Sequence, residues 1–293
     1  MMRVREPAAL REVLRGWRRE GESIALVPTM GDLHEGHMTL VEQARRHASR
    51  VVVSVFVNPL QFNDAADFAA YRRDPDADTE LLRQAGVDLL FMPDASTIYP
   101  HGVGAGTGVV VPEIGDSLCG AFRPGHFAGV GTVVSILFNL VRPDAALFGE
   151  KDYQQLLLVR RMVEDLHYGI DVIGVPTVRG SDGLALSSRN RYLDASERAR
   201  AARLHQVLEA IGADLLRDGL PAQAALEVRG MEELALAGFR PEYVAIRRAA
   251  DLGLPQPGDR CLRILAAAWL GRARLIDNLP VDLPEDGKGT LPS

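Results

Sequence analysis

A two-domain α/β fold, a parallel sheet with crossover helices followed by a smaller α+β domain, follows from three features of this 293-residue chain. Up to about residue 176, short apolar runs of strand length alternate with stretches whose apolar residues recur at i, i+3 and i+4. Crossover-linked parallel strands produce that pattern. Beyond residue 176 the alternation stops, and two helical patterns precede three strand-like runs. The third feature is the junction from Pro28 to His37, directly behind the apolar run 24–27. There a buried strand ends in a glycine-containing loop and a helix opens with two histidines three residues apart. Unpaired N–H groups and imidazoles at such a place suit one anion, most naturally a nucleotide phosphate. The sheet is therefore expected to be doubly wound and Rossmann-like, with residues 1–176 as a nucleotide- and substrate-binding domain and 177–293 as the smaller α+β domain.

Taken in order, the expected strands are 24–27, 51–57, 89–92, a short 109–111, 145–148 and 172–175. Helices are expected over 38–46, 76–85, 127–140 and 153–166, where the apolar positions fall on one face. In open sheets of this kind ligands sit beyond the carboxyl ends of the strands. The segments after Val27, Val57, Phe148 and Val175 should thus converge on one cleft. In the second domain helices are expected over 195–217 and 222–237, and strands over 243–247, 262–268 and 273–278. The tail from Pro280 to Ser293, rich in proline and glycine, is expected to be loosely ordered.

Composition narrows the function classes. A hydrophobic content of 47% with 25% charged residues is that of a water-soluble globular protein. The net charge of −6 argues against a broad nucleic-acid surface, which needs a basic face. Cys119 and Cys261 are the two cysteines, far apart and outside any C-x-x-C spacing, so neither a disulfide framework nor a cysteine zinc site is indicated. No apolar run has signal-peptide or membrane-spanning length. A cytoplasmic protein, neither secreted nor membrane-bound, is expected.

Five clusters carry chemistry. His34 and His37 lie one helical turn apart and can face one ligand. Their spacing alone fits phosphates, a metal or neither, and the strand–loop–helix context favours phosphates. Asn58 and Gln61 place two amides behind the second strand, where they suit a small polar substrate, although Asn58 also fits a turn cap. Gly149, Lys151 and Asp152 repeat the arrangement after a later strand. Lys151 suits phosphate, because a cation at a helix start is disfavoured unless an anion arrives, and Asp152 suits Mg²⁺ or a helix cap. Ser187, Ser188 and Arg189 follow the last strand of the sheet in a glycine-containing loop that suits a mobile clamp on a triphosphate, although by themselves they also read as an ordinary polar loop. Arg123 and His126 precede a helix whose Val133 and Val134 suit either a pocket wall or the core.

Together these pieces resemble the pantothenate synthetase (pantoate–β-alanine ligase) family of the nucleotidyltransferase superfamily with its His-x-Gly-His signature. The resemblance rests on PTMGDLHEGH, VSVFVNPLQF, RPGHFAGV, FGEKDYQQL and DGLALSSRN and extends over essentially the whole chain. It implies an ATP-dependent ligation in which the pantoate carboxylate is adenylated, pyrophosphate leaves, and β-alanine displaces AMP. By position, Pro28, Thr29, Met30, His34, Gly36 and His37 resemble the first ATP-binding segment, with His37 as proton donor. Gly149, Lys151 and Asp152, then Pro176, Thr177 and Val178, then Leu186, Ser187, Ser188 and Arg189 resemble the others. Of these, His37, His34, Lys151 and Arg189 are the implied catalytic set. Met30, Asn58, Gln61, Val133, Val134 and Gln155 match the pantoate pocket, with Gln61 also near β-alanine.

The resemblance further implies Mg²⁺ arriving with ATP and touched by Asp152, a homodimer, and a second domain acting as a lid. The chain departs from the family at Ala128, where arginine is usual, at Tyr71-Arg72-Arg73 in place of Tyr-Pro-Arg, and at Leu186, a frequent methionine position. Two other readings share these residues: adenylyl transfer to another small carboxylate, and an ATP-binding homologue without turnover.

Overall fold

The computed structural model describes residues 1–284, which form two compact units. One comprises residues 1–150 and 154–176. The other comprises 151–153 together with the described residues from Thr177 onward.

The first unit contains β1 (Met2–Val4), α1 (Pro7–Arg19), β2 (Ile24–Thr29), α2 (Glu35–His47), β3 (Arg50–Val55), α3 (Ala65–Ala70), α4 (Pro75–Gln84), β4 (Leu89–Phe91), α5 (Ala95–Ile98), α6 (Cys119–Phe122), α7 (His126–Val141), β5 (Ala145–Gly149), all but the first residue of α8 (Tyr153–Asp165), and β6 (Asp171–Val175). Its six strands are all parallel, in the order β1-β4-β3-β2-β5-β6. The strands are near-continuous apolar runs because helices cover both faces. Ala25, Val27, Val51, Val53 and Leu147 pack with Leu40, Val41 and Ala44 of α2 and Leu82 of α4. Strand alternation turns Ile24, Leu26 and Val52 to the opposite face, where α7 packs on β2 and α1 on α7. Helix α7 is buried nearly all round, which explains its run of valine, leucine and phenylalanine.

From β2 the chain builds outward through β3 to β4, then crosses to the other side of β2 to add β5 and β6. The order reverses between β2 and β5. In open parallel sheets such a reversal opens a crevice for a ligand at the carboxyl ends of those two strands.

The second unit contains α9 (Ala195–Ala201), α10 (Arg203–Asp218), α11 (Gln223–Leu236), β7 (Arg240–Arg248), β8 (Cys261–Leu270) and β9 (Ala273–Asp282). The strands form an antiparallel sheet in the order β7-β8-β9. Leu262, Ile264, Ala266 and Leu275 on one face pack with Val207, Leu208 and Ile211 of α10 and Leu226 and Leu234 of α11.

Four expectations need correction. Residues 109–111 are not a strand: the Val109 N–H donates to Thr132 Oγ1 of α7 at 2.9 Å, so this run is tied to a helix side chain and joins no ladder. The helical stretch 195–217 is two helices, separated by a tight turn at Ala202. Helix α2 starts at Glu35, which places His37 inside it and His34 at its N-cap. Pro280 lies within β9 opposite Arg263, so the tail is ordered at least to there, while residues 285–293 fall outside the described residues. Neither β1 nor α1 is among the expected elements, although Leu10, Leu14 and Trp17 bury the face of α1 at i, i+4 and i+7. Among the described residues no helix is long and apolar enough to cross a membrane.

Candidate active site

The loop that leaves β2 is shaped by its backbone. Gly31 and Asp32 both have positive φ, at 81° and 53°. The buried Asp78 carboxylate of α4 accepts the Asp32 N–H at 3.1 Å and the Leu33 N–H at 2.9 Å. A Cβ on Gly31 would stand 2.8 Å from Asp78 Oδ2, so glycine meets both the torsion and the close approach. Burial pushes the Asp78 carboxyl above the usual carboxylate range, against the two N–H groups that favour its charged form. Thr29 supports the start of the loop, donating its hydroxyl to the Ser54 carbonyl at 2.8 Å and accepting the Gly31 N–H at 3.3 Å.

Behind this loop His34 and His37 cap α2 reciprocally. His34 Nδ1 accepts the Gly36 N–H at 3.2 Å, and the His34 N–H donates to His37 Nδ1 at 3.2 Å. Their ring centroids are 4.1 Å apart. With each Nδ1 an acceptor, the ring proton of either neutral imidazole sits on Nε2. Each imidazole thus carries its ring proton on Nε2 beside a helix N-terminus, and a donor of that kind suits phosphate oxygens. Pro28, Met30 and Gly36 are half-buried around them, and Gly149 ends β5 across the switch point.

The amides behind β3 are placed by a buried network. Tyr99 donates its phenol to Asn58 Oδ1 at 2.6 Å, and that oxygen also accepts the Leu60 N–H. Asn58 Nδ2 donates to Gln61 Oε1 and to the Gly129 carbonyl, each at 3.1 Å. The whole Asn58 amide is therefore engaged by protein, and the network turns the Gln61 Nε2 donor away from Asn58. Burial raises the Tyr99 phenol, which stays protonated and able to donate. The carbonyl of Gln61 accepts from His126 Nδ1 at 2.7 Å and from Arg123 Nη2 at 3.1 Å. Gly129 permits this seating: a Cβ there would be 2.5 Å from the Leu60 carbonyl oxygen. Val133 and Val134 are buried on α7, Ala128 is half-buried one turn earlier, and Gln155 is half-buried on α8.

The second unit gathers the remaining residues. Lys151, Ser187, Arg189 and Asn190 line one pocket together with Ile276 and Asp277 of β9. Ser187 Oγ accepts the Arg189 N–H and caps the short 3-10 turn Ser188–Tyr192. Thr177, Val178 and Leu186 belong to a narrow hairpin closed by an Arg179–Ala185 bridge, with the Leu186 N–H donating to the Val178 carbonyl at 2.9 Å. Asp152 and Pro176 are exposed. Among the described residues no cluster of three or more His, Cys, Asp or Glu side chains is arranged to hold a metal ion.

Some residues that shape the candidate site escaped sequence reasoning. Asp78 reads as one more acid in an acidic helix start, and Tyr99 as a lone aromatic before a proline. Nothing local marks either, because each acts on residues more than 40 positions away. Gln154, beside the expected Gln155, instead braces residues 114–119 by accepting the Cys119 N–H and donating to the Ile114 and Ser117 carbonyls.

Known proteins share this architecture. The model of a family described as pantoate–β-alanine ligase matches residues 2–280. A pantothenate synthetase of Thioalkalivibrio sulfidiphilus is 57% identical over 287 residues, covering 98% of this chain and 100% of that protein. Another, from Chromohalobacter salexigens, is 52% identical and covers 97% and 100%. A crystal structure of the pantothenate synthetase of Thermus thermophilus superposes with a TM-score of 0.87 at 47% identity, covering 95% of this chain and 99% of that one. A pantoate–β-alanine ligase from Francisella tularensis, complexed with β-γ ATP and β-alanine, has a TM-score of 0.79 at 32% identity over 95% and 97% of the two chains. With a family model spanning nearly the whole sequence and relatives more than half identical along their full length, the chain belongs to the pantoate–β-alanine ligase family.

Proposed function

We propose that the protein joins pantoate and β-alanine to pantothenate at the expense of ATP, through a pantoyl adenylate. The single observation that carries this reading is the reciprocal His34–His37 cap at the end of β2, at the strand-order switch point of a member of this family. A carboxylate acylates poorly. In the first step a pantoate carboxylate oxygen bonds to the α-phosphorus, the bond to the β-phosphate breaks, and pyrophosphate leaves. The β-alanine amine then attacks the acyl carbon, loses a proton, and AMP departs with the C–O bond electrons.

The protein's share is positioning and charge stabilisation. Nε2–H of His37 donates to the oxygen that gains charge as pyrophosphate leaves, and His34 Nε2–H binds a neighbouring phosphate oxygen. Lys151 and Arg189 neutralise the triphosphate, with Ser187 and Ser188 supplying hydroxyl donors. Pro28, Thr29, Met30, Gly36, Gly149, Pro176, Thr177, Val178 and Leu186 contribute backbone and walls to the nucleotide site. Gln61 and Gln155 hydrogen-bond pantoate against Met30, Val133 and Val134. Asn58 acts through Gln61, since its own amide is fully used by Tyr99, Leu60 and Gly129. The triphosphate would hold most of the coordination of a Mg²⁺ arriving with ATP, and the exposed Asp152 is the carboxylate that would touch it and help neutralise the phosphates.

In this reading residues 1–176 bind the small substrates and 177–293 act as a lid, the enzyme is a cytoplasmic homodimer, and both cysteines remain thiols, as both are here. The decisive experiment incubates the purified protein with MgATP, pantoate and β-alanine, omitting each in turn, and follows products by mass spectrometry. Pantothenate and AMP are expected only in the complete mixture. AMP formed with another carboxylate in preference to pantoate would redirect the specificity, and ATP binding without any product would remove the catalytic reading.

A further inference from the structure

Adjacent residues of β9 face opposite sides of the second unit's sheet, and each holds something. Asp277, nearly fully buried, lies on the helix-covered face. Its carboxylate accepts a forked pair of bonds from Arg179, at 2.6 and 2.9 Å, with the His205 imidazole of α10 at 3.4 Å. Arg179 also donates to the Gly183 carbonyl at 3.2 Å, bracing the hairpin that leads into Ser187–Arg189. Asp277 Oδ1 turns back to accept the Asn278 N–H at 2.8 Å. Asn278 lies on the other face, where its Nδ2 donates to the Lys151 carbonyl at 2.9 Å. Next to it the Arg263 guanidinium stacks 3.7 Å over the Tyr153 ring, and the Tyr153 hydroxyl donates to the Ala249 carbonyl.

Lys151 follows a strand of the first unit in sequence, yet the second unit's sheet holds it, on the same pocket as Ser187 and Arg189. We infer that Asp277 and Asn278 are positioning residues that assemble Lys151 and the Ser187–Arg189 turn into one phosphate clamp, Asn278 by holding the Lys151 backbone and Asp277 by locking Arg179 and the Asn278 N–H. The inference rests on the reading of Lys151 and Arg189 as triphosphate contacts. Burial pushes the Asp277 carboxyl up, but the His205 imidazole and the Arg179 guanidinium beside it more than offset that and hold it below the usual carboxylate range. It stays ionised, and the fork stays closed, at neutral pH. Asn at 277 would keep the size but face the guanidinium with an amide donor on one side.

The test uses the full-length enzyme, with steady-state kinetics in ATP and in pantoate and a melting curve for each variant. Asn278→Ala removes the bond to the Lys151 carbonyl and is expected to lower kcat/KM for ATP roughly five- to tenfold, the worth of about one hydrogen bond. KM for pantoate should stay within about twofold, which a general loosening of structure would not achieve. Asp277→Asn is expected to lose more in ATP and nothing further in pantoate. In a Lys151→Ala background Asn278→Ala should cost less than about twofold, because the group it positions is gone. Wild-type ATP kinetics in folded Asn278→Ala alongside an impaired Lys151→Ala would overturn the positioning role and leave the clamp reading intact. A full, independent loss in the Lys151→Ala background would do the same. Wild-type ATP kinetics in Lys151→Ala itself would instead remove the clamp reading, and this inference with it.

Discussion

The Tyr99 phenol donates a 2.6 Å hydrogen bond to Asn58 Oδ1 inside the first unit, and through Asn58 it sets the direction of the Gln61 amide. Replacing the phenol with phenyl removes one donor from a buried carbonyl that keeps only the Leu60 N–H. Tyr99→Phe is expected to cost about 1 kcal/mol of stability and to raise KM for pantoate about fivefold, because Gln61 becomes free to flip. Chemical denaturation and pantoate saturation curves check both numbers. An unchanged pantoate KM would detach Tyr99 from the substrate.

His37 has two separable duties. Its Nδ1 caps α2, while its Nε2–H is assigned to the leaving pyrophosphate. His37→Ala is expected to lower kcat by about 10² to 10⁴ and stability by about 1 kcal/mol. His37→Asn, which restores an acceptor near the His34 N–H but no imidazole, should recover stability and leave kcat low. Recovery of both would reduce His37 to a cap.

Gly31 sits at φ 81° with no room for a methyl group beside Asp78. Gly31→Ala is expected to destabilise the fold by roughly 1–3 kcal/mol and to lower activity at saturating substrate, since the loop it displaces carries His34. Thermal melts and kcat measurements test it, and a neutral substitution would show the loop to be more adaptable than its contacts indicate.

Asp78 and Asp277 should respond to pH in opposite senses. Asp277 is held below its unfolded value of about 3.9, so its ionised form favours the fold. That contribution is complete above the unfolded value and disappears as pH falls through the folded one. Asp78 is raised by burial, so the folded protein takes up its proton first. Its contribution is fullest below the unfolded value and declines as pH rises through the folded one. In urea titrations from acid to neutral pH, the stability deficit of Asp277→Asn should grow with pH and that of Asp78→Asn should shrink. Parallel trends would contradict the sign of one shift.

Much of this molecule was legible beforehand wherever local chemistry is repeated or unusual. The buried parallel strands are marked by continuous apolar runs, since helices cover both faces. The helix start after β2 is marked by His34, Gly36 and His37, and the cation at a helix start singles out Lys151. Where reasoning failed, the deciding partner was distant. Residues 109–111 have the composition of a strand, but a hydroxyl of α7 captures the Val109 N–H. Met2–Val4 becomes an edge strand because β4 lies beside it, which three residues cannot announce. Pro280 reads as the start of a tail, and pairing with Arg263 keeps it in β9.

The amino-acid sequence by itself thus determined the fold class, the main alternation of strands and helices, and which segments offer charge and amide chemistry as candidates, because periodicity and residue type act over a few neighbouring positions. Only the tertiary structure decided how those residues are held. It set the direction of the Gln61 amide through Tyr99 and Asn58, the shape of the 31–33 loop through Asp78, and the seating of Lys151 through Asn278. Each is a hydrogen bond between groups remote in sequence, and such a bond forms only where folding has brought both groups out of water at the right distance.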